Sequence, residues 1–226
     1  MVKTKTEQAI IDALEAVAAG APGARIHLGS LEPTVVTDTF VERLKKLNVC
    51  PHFHLSMQSG CDATLKRMNR RYDTARYYES VELLREYFDD PAITTDLITG
   101  FPEETEEEFG ETLAFIEKCG FAAMHIFPYS IRPGTKAAAM AQVPPAVKEA
   151  RAARAGQVAE KLHRAYLAGC VGQVYPVLFE QPKDGRYTGH APNYCEVCVR
   201  AEDLHNKIID TKIVGIDGDV LIGELT

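Results

Sequence analysis

Patterns typical of strands and helices alternate through the first 128 residues of this 226-residue chain, and this alternation constrains the fold more than any other feature. Apolar residues recur at helical spacing in some segments and group with β-branched residues in others. Such alternation predicts a parallel sheet built from βα units, and thus an α/β fold. The predicted helices are 7–17, 37–47, 74–88 and 104–119, and the predicted strands are 25–31, 53–57, 92–99 and 122–127.

After Pro128 the pattern changes to one long helix, predicted at 146–167, and then to short strands separated by turn residues. Five short strands in a segment of this length predict a small antiparallel barrel. We therefore expect two domains, at residues 1–167 and 168–226. The predicted barrel strands are 173–180, 186–190, 194–200, 208–215 and 220–224.

Composition narrows the class of protein. The hydrophobic fraction is 46%, and no apolar run approaches the roughly 20 residues that a membrane span needs. The first residues lack the apolar segment of a signal peptide, so a cytoplasmic location without membrane contact is expected. The six cysteines are scattered, which argues against a disulfide framework. Cys195 and Cys198 form a C-x-x-C, but on a strand the two thiols would diverge, so we predict no metal there.

The charge distribution bears on nucleic-acid binding. A net charge of −7 argues against a broadly basic binder, yet basic residues concentrate in segments 62–76 and 148–164. Each segment is interpreted either as a solvated helix face or as an RNA-binding surface. After residue 167, nine acidic residues outnumber five basic ones. RNA contact by that domain would therefore need a small local patch or base stacking on Tyr187 or Tyr194.

Polar residues crowd the end of the second predicted strand, where Ser56, Gln58 and Ser59 follow one another closely. Ligands of α/β proteins bind at the carboxyl ends of strands, so this end is a candidate site. Ser56 and Ser59 are either polar lining residues or ordinary strand-end residues. Asp96 lies in an otherwise apolar strand, and a buried carboxylate needs a partner, either a ligand or a structural hydrogen bond.

Four segments together resemble the radical S-adenosylmethionine (SAM) methylthiotransferases, and they include LGSLEP at 28–33 and QSGCD at 58–62. In order and spacing they resemble strands three to six of that family's partial (β/α)6 barrel. The segment after residue 168, with Gly189, Asn193 and Tyr194, resembles the TRAM module, an RNA-binding β-barrel. Within the family, the chain looks most like enzymes acting on N6-threonylcarbamoyladenosine at tRNA position 37. The four segments are 25–33, 52–72, 95–105 and 125–130.

The resemblance implies a SAM-binding role for residues at the strand ends. Glu32 matches the family acid that contacts the amino group of SAM, and Asp96 matches the acid that contacts the ribose. Gln58 and Arg70 match residues that help hold the cofactor, and an arginine can pair with a carboxylate through two parallel bonds. Phe127 would flank the adenine. The resemblance also implies the tRNA anticodon loop as partner, and methylthiolation of C2 of the modified adenosine as the reaction.

The chain departs from the family in its cysteines. The family holds a [4Fe–4S] cluster with a C-x3-C-x2-C loop, and this sequence has no such triplet, so the cluster ligands are absent from this chain. We expect that strands one and two and the amino-terminal domain of the family are missing, and that this chain alone does not cleave SAM. The strand at 25–31 would then present an unpaired edge, open to a complementing amino-terminal polypeptide or to self-association.

Two alternatives accompany this interpretation. The chain could be a catalytically incompetent truncated or split-gene fragment that acts as an RNA-binding or partner-completing module. Histidines at positions 27, 52, 54 and 125 also suggest a metal site, but the resembling family has no metal ligands there, and we predict none.

Overall fold

The computed structural model describes residues 5–47, 49–183 and 185–226, and in this part of the chain the first half forms a parallel four-stranded sheet. The strands lie side by side in chain order, so each βα unit adds one strand next to the last. The α/β prediction of a partial barrel is confirmed, with strand ends shifted by a few residues. The strands are β1 (Leu28–Leu31), β2 (His52–Leu55), β3 (Ala92–Thr99) and β4 (Ala123–Pro128).

Helices cover one face of this sheet, and two of them begin at threonines whose side chains cap the first turn. The Thr37 hydroxyl accepts a hydrogen bond from the backbone N–H of Phe40, and Thr105 and Glu108 form a capping box. None of the helices in the described residues combines the length and apolar character needed to cross a membrane. The helices are α1 (Lys5–Gly20), α2 (Asp38–Lys46), α3 (Asp62–Arg67), α4 (Thr74–Tyr87), α5 (Glu106–Cys119) and α6 (Pro145–Cys170).

The two faces of the sheet differ because side chains alternate along each strand. Phe53 and Leu55 of β2 and Leu97 of β3 face the helices and are fully buried in the core. The opposite face carries polar and aromatic side chains that are half-buried or exposed. We call it the inner face, because it would line the interior of a closed barrel. It includes His52, His54, Thr94, Asp96, His125 and Phe127.

Residues after α6 form a closed barrel, in which the described residues supply five strands. The predicted small barrel is confirmed, but the expectation that it is antiparallel throughout was wrong. The last strand enters between two others and runs parallel to one of them, with Val197 opposite Leu221. At Gly189 a Cβ atom would lie 2.1 Å from the carbonyl oxygen of Leu178, so the close approach of two strands requires glycine. The strands are β5 (Val174–Lys183), β6 (Arg186–His190), β7 (Glu196–Val199), β8 (Lys207–Asp217) and β9 (Val220–Leu225).

The loop between β6 and β7 joins the barrel to the amino ends of the parallel strands. The ring of Tyr194 stacks on His52, with ring centroids 5.0 Å apart, and on His190 at 4.9 Å. Arg25 donates hydrogen bonds to the carbonyl of His190, at 2.7 Å, and to the carbonyl of Pro176. The barrel therefore covers the amino end of the sheet and leaves the carboxyl end open.

Candidate SAM-binding site

A cavity of about 490 Å³ opens at the carboxyl ends of β2, β3 and β4. Gln58 and Asp96 form its polar wall, and Phe127, with half its surface exposed, forms part of the apolar wall. Residues of the loop after β4 complete the lining. Three of the residues predicted from sequence therefore lie together around one cavity, whose size suits a small ligand. Another cavity, of about 540 Å³, lies on the barrel and shares no residue with this one.

Gln58 occupies this wall in an uncommon backbone conformation. Its φ angle is 67°, in the left-handed region that residues other than glycine rarely adopt. Its N–H donates to the carbonyl of Asp96 and its own carbonyl accepts from the N–H of Ile98, both at 3.0 Å. These bonds hold Gln58 against β3 beyond the end of β2. Strained residues of this kind concentrate at ligand sites, where the surrounding structure holds them.

Asp96 has the partner that its place in an apolar strand requires. The Nε2 atom of His54 lies 3.4 Å from Oδ2 of Asp96, and Nδ1 of His54 lies 3.0 Å from the hydroxyl of Thr94. The Asp96 side chain remains 31% exposed, so one carboxylate can contact both the histidine and a molecule in the cavity.

Tyr72 is a site residue that the sequence analysis missed. Its hydroxyl lies within hydrogen-bond distance of the carbonyl oxygens of Ser56 (2.7 Å) and Met57 (3.0 Å), and so fixes the chain just after β2. Burial raises the pKa of the Tyr72 phenol to about 12; Arg70 acts to lower this pKa and Glu32 to raise it. Both charged residues therefore lie near the phenol. The sequence signal that could have indicated Tyr72 was its position two residues after Arg70, a predicted site residue.

The remaining predicted site residues fall into two groups. Glu32 and Arg70 are exposed, and within the described residues Arg70 forms no ion pair. Ser56 is half-buried and its N–H donates to the carbonyl of Leu31, which joins β1 to β2. Ser59 is buried, and its hydroxyl contacts Thr112 of α5 at 3.4 Å, on the helix side of the sheet. The structure thus brings Glu32 and Arg70 to the open end and directs Ser59 away from the cavity.

A buried network fixes the loops that surround the cavity. Glu104 accepts hydrogen bonds from the N–H of Gly100 (2.9 Å) and from Arg151 of α6 (2.8 Å). Lys148 donates to the carbonyl of Tyr129 at 3.1 Å, in the loop after β4. Burial raises the pKa of Glu104, while Gly100 and Arg151 act to lower it. Helix α6 therefore holds the ends of both β3 and β4.

The two basic segments have different environments. In segment 148–164 the cations are paired or buried: Arg151 and Arg154 contact Glu106, Lys161 contacts Glu117 and Arg164 contacts Glu160, while Lys148 is 7% exposed. The cations of this segment therefore already have acidic partners or are buried, and contact with RNA through them stays a prediction. In segment 62–76, Lys66, Arg70 and Arg71 are exposed and, within the described residues, form no ion pairs.

The residues present fit SAM but not an iron–sulfur cluster. Asp96 offers an acceptor for hydroxyl groups, Arg70 a cation and Phe127 an apolar surface, which match the ribose, carboxylate and adenine of SAM. A cluster needs several cysteines at one place. Among residues 5–47, 49–183 and 185–226, no group of three His, Cys, Asp or Glu side chains is arranged to hold a metal.

An open parallel βα sheet, with ligand-type side chains at its carboxyl end, defines an α/β cofactor-binding domain of the partial-barrel type. The sequence profile described as "Radical SAM superfamily" matches residues 3–116, and the chain belongs to that superfamily. The fold is also similar to coproporphyrinogen III oxidase of Escherichia coli, a radical SAM enzyme, with a TM-score of 0.56 and 14% identity over 82% of this chain and 51% of that one. SAM and a [4Fe–4S] cluster are the cofactors of this superfamily.

Two curated relatives extend the similarity beyond the superfamily profile. The threonylcarbamoyladenosine tRNA methylthiotransferase of Treponema pallidum is 44% identical over 69% of this chain and 33% of its own length. The tRNA-2-methylthio-N(6)-dimethylallyladenosine synthase of Chloroflexus aurantiacus is 36% identical over 90% of this chain and 45% of its own length. The chain thus spans less than half of either relative. Their names place both among tRNA-modifying enzymes.

Proposed function

We propose that this chain is the SAM-binding and RNA-binding portion of a tRNA methylthiotransferase that acts on C2 of N6-threonylcarbamoyladenosine at position 37. The observation that carries the proposal is the cavity at the carboxyl ends of β2–β4, where Gln58, Asp96 and Phe127 meet. The similarity to the Treponema pallidum enzyme supports the choice of substrate. A cytoplasmic location is part of the same proposal.

When bound, SAM supplies a methyl group and, with a reduced cluster, the radical of this chemistry. The residues of this chain bind and orient it. Asp96 accepts hydrogen bonds from the ribose hydroxyls, and Phe127 packs against the adenine. Arg70 pairs with the carboxylate of SAM and Glu32 with its ammonium group, because the charges are opposite. Both residues are exposed, and both influence the pKa of Tyr72. Gln58 lines the cavity, Ser56 supports its rim through the backbone, and Ser59 packs against α5.

The anticodon loop of tRNA is the proposed partner, and the exposed cations at the open end are its proposed contacts. Lys66 and Arg71 lie near the carboxyl end of the sheet and can attract phosphates without breaking an ion pair of the described residues. Tyr194 stacks on two histidines and is still 55% exposed, so contact of a base with its exposed surface is a second proposed contact.

A second candidate function is a partner-completing module without activity of its own. The observation that favours it is the place of β1 at the edge of the described sheet, with Gly29 and Ser30 exposed. A strand from a complementing polypeptide or from a second copy could pair there. Under either candidate, we expect the chain alone to form no 5′-deoxyadenosine after anaerobic reconstitution with iron, sulfide and a reductant. Formation of that product would contradict this expectation.

The SAM site is tested by calorimetric titration of the full chain with SAM. We expect saturable binding that Asp96→Asn weakens about tenfold, because a neutral amide accepts hydroxyl hydrogen bonds less well than a carboxylate. Asp89→Asn is the matched control, since Asp89 is an exposed carboxylate before the amino end of β3. Equal affinities of the two variants would exclude Asp96 from the site, and absence of binding by the natural chain would contradict the SAM site itself.

A further inference from the structure

Four polar side chains form a continuous line along the inner face, from the covered amino end of β2 to the cavity. The Nε2 atom of His52 lies 3.5 Å from the hydroxyl of Thr94, and this hydroxyl lies 3.0 Å from Nδ1 of His54. The Nε2 atom of His54 then lies 3.4 Å from Oδ2 of Asp96. We call this line the inner-face column.

The register of the sheet creates the column. His54 lies opposite Thr94, and His52 and Asp96 lie two residues away along their strands, so all four side chains share one face. A one-residue shift between β2 and β3 would turn one strand's members toward the helices. The column is therefore built into the pairing of the two strands.

The covered end of the column fixes the proton position on His52. Burial beneath Tyr194 and the nearby His27 and His54 lower the pKa of His52 to about 4, so the ring is neutral near pH 7. Its Nδ1 atom is buried and has no hydrogen-bond partner among the described residues. A buried N–H without a partner is rarer than a buried acceptor without one. The proton therefore belongs on Nε2, which faces Thr94.

The direction of the remaining hydrogen bonds follows from the first one. Thr94 accepts from Nε2–H of His52, so its own hydroxyl proton is free to go to Nδ1 of His54. His54 then carries its proton on Nε2, the ring nitrogen that lies 3.4 Å from the carboxylate of Asp96. The opposite arrangement would place a nitrogen lone pair 3.4 Å from a carboxylate oxygen, which is repulsive.

We propose that His54, held by Thr94 and backed by His52, is a positioning residue that fixes one oxygen of Asp96 and leaves the other for the vicinal diol of a nucleoside ligand. This inference rests on the proposed SAM site. It goes further by naming the side chains that orient the Asp96 carboxylate. His54 contacts the carboxylate and Thr94 holds His54 before the ligand arrives, so less freedom is lost on binding.

The first test needs no ligand. Nitrogen-15 NMR of the histidine rings distinguishes the two neutral tautomers, and we expect Nε2–H for both His52 and His54 at pH 7.5. Thr94→Val should release His54 into a mixture of tautomers, whereas Thr94→Ser, which keeps the hydroxyl, should not. An Nδ1–H tautomer of His54 in the natural chain would overturn the column whatever the chain binds.

The second test uses 5′-methylthioadenosine and its 2′-deoxy analogue as calorimetric probes. We expect the natural chain to prefer the ribose form about tenfold, the effect of one hydrogen bond to a charged group. His54→Leu should lose most of this preference, and His54→Gln, whose amide can still donate near the position of Nε2, should keep most of it. An unchanged preference in His54→Leu, with the fold intact by circular dichroism, would refute the positioning role. Failure of the natural chain to bind either probe would instead refute the proposed site. The NMR test of the histidine tautomers would still decide whether the inner-face column exists.

Discussion

The two ends of the parallel sheet are built from the same strands but have opposite surroundings. At the amino end, His52 lies beneath the ring of Tyr194, and Arg25 bonds to carbonyls of the barrel. At the carboxyl end, a cavity of about 490 Å³ opens between Gln58, Asp96 and Phe127. One end thus contributes to the packing of the two units, and the other is left for ligands, as is general for parallel βα folds.

The contrast between the two ends of the sheet also applies to the two basic segments, 62–76 and 148–164. Helix α6 runs from the cavity loops to the barrel, and its cations are buried, as Arg151 is, or paired with acidic residues of α5 or of α6 itself. Lys66 of α3 and Arg71, which follows α3, are exposed to solvent near the open end. Position relative to the ends of the sheet, and not charge density in the sequence, separates supporting cations from candidate binding cations.

The largest expected loss of stability follows from removing Arg151, which helps to hold the loops at the open carboxyl end of the sheet. Arg151→Met should lower the free energy of unfolding by about 3 kcal/mol, because it leaves the Glu104 carboxyl buried without its cation. Arg154→Met is the matched control, since Arg154 is half-exposed and its ion pair is with exposed Glu106; its loss should stay below about 1 kcal/mol. Urea unfolding measures both. Similar losses in the two variants would show that the network is not a main support.

The next largest loss of stability is expected at the amino end of the sheet, which the barrel covers. Tyr194→Ala should cost about 1–3 kcal/mol, because the ring stacks on His52 and His190 and meets His27 edge-on. Tyr194→Phe retains the ring and should stay within about 0.5 kcal/mol of the natural chain. Thermal unfolding of the three proteins gives the comparison. A Tyr194→Phe loss as large as that of Tyr194→Ala would mean that the hydroxyl, and not stacking, joins the two units.

A smaller effect depends on pH at the covered end. Burial and neighbouring charges lower the pKa of His52 from its usual 6.5 to about 4, so the unfolded chain takes up this proton first as the pH falls between these values. The folded state therefore loses stability across that window, by on the order of 1–2 kcal/mol for this partly exposed ring. Urea unfolding at pH 7 and pH 5 should show a smaller loss for His52→Phe than for the natural chain. His205→Gln, at an exposed histidine, should behave like the natural chain, and an equal loss in all three would refute the assignment.

The sequence predicted the local parts of this structure well. Helix caps such as Thr105 depend on residues three positions away, and the four parallel strands follow from apolar spacing within each segment. Gln58 could be predicted because ligands bind at the carboxyl ends of parallel strands, and Asp96 because a carboxylate is unusual within an apolar strand. The predictions about where a domain ends and which residues touch SAM remain expectations for experiment.

Features set by distant residues could not be predicted from local patterns. The role of Tyr72 depends on carbonyls of residues about sixteen positions earlier, and the pairing of Arg151 depends on an acid 47 positions earlier. The parallel pairing of β7 with β9 appears only when the barrel closes. Ser59 could have been separated from Gln58, because adjacent residues near a strand point to opposite faces.

The smallest expected effect tests the open end as an RNA surface. Arg71→Gln should weaken binding of an anticodon stem-loop a few-fold and reduce the slope of log affinity against log salt by about 1, because one phosphate contact is lost. Arg164→Gln is the control, since Arg164 is an exposed cation of α6 that pairs with Glu160. Fluorescence anisotropy at several salt concentrations measures both slopes. Equal slopes for Arg71→Gln and Arg164→Gln would place the RNA elsewhere, and the contrast between the two basic segments would then concern stability alone.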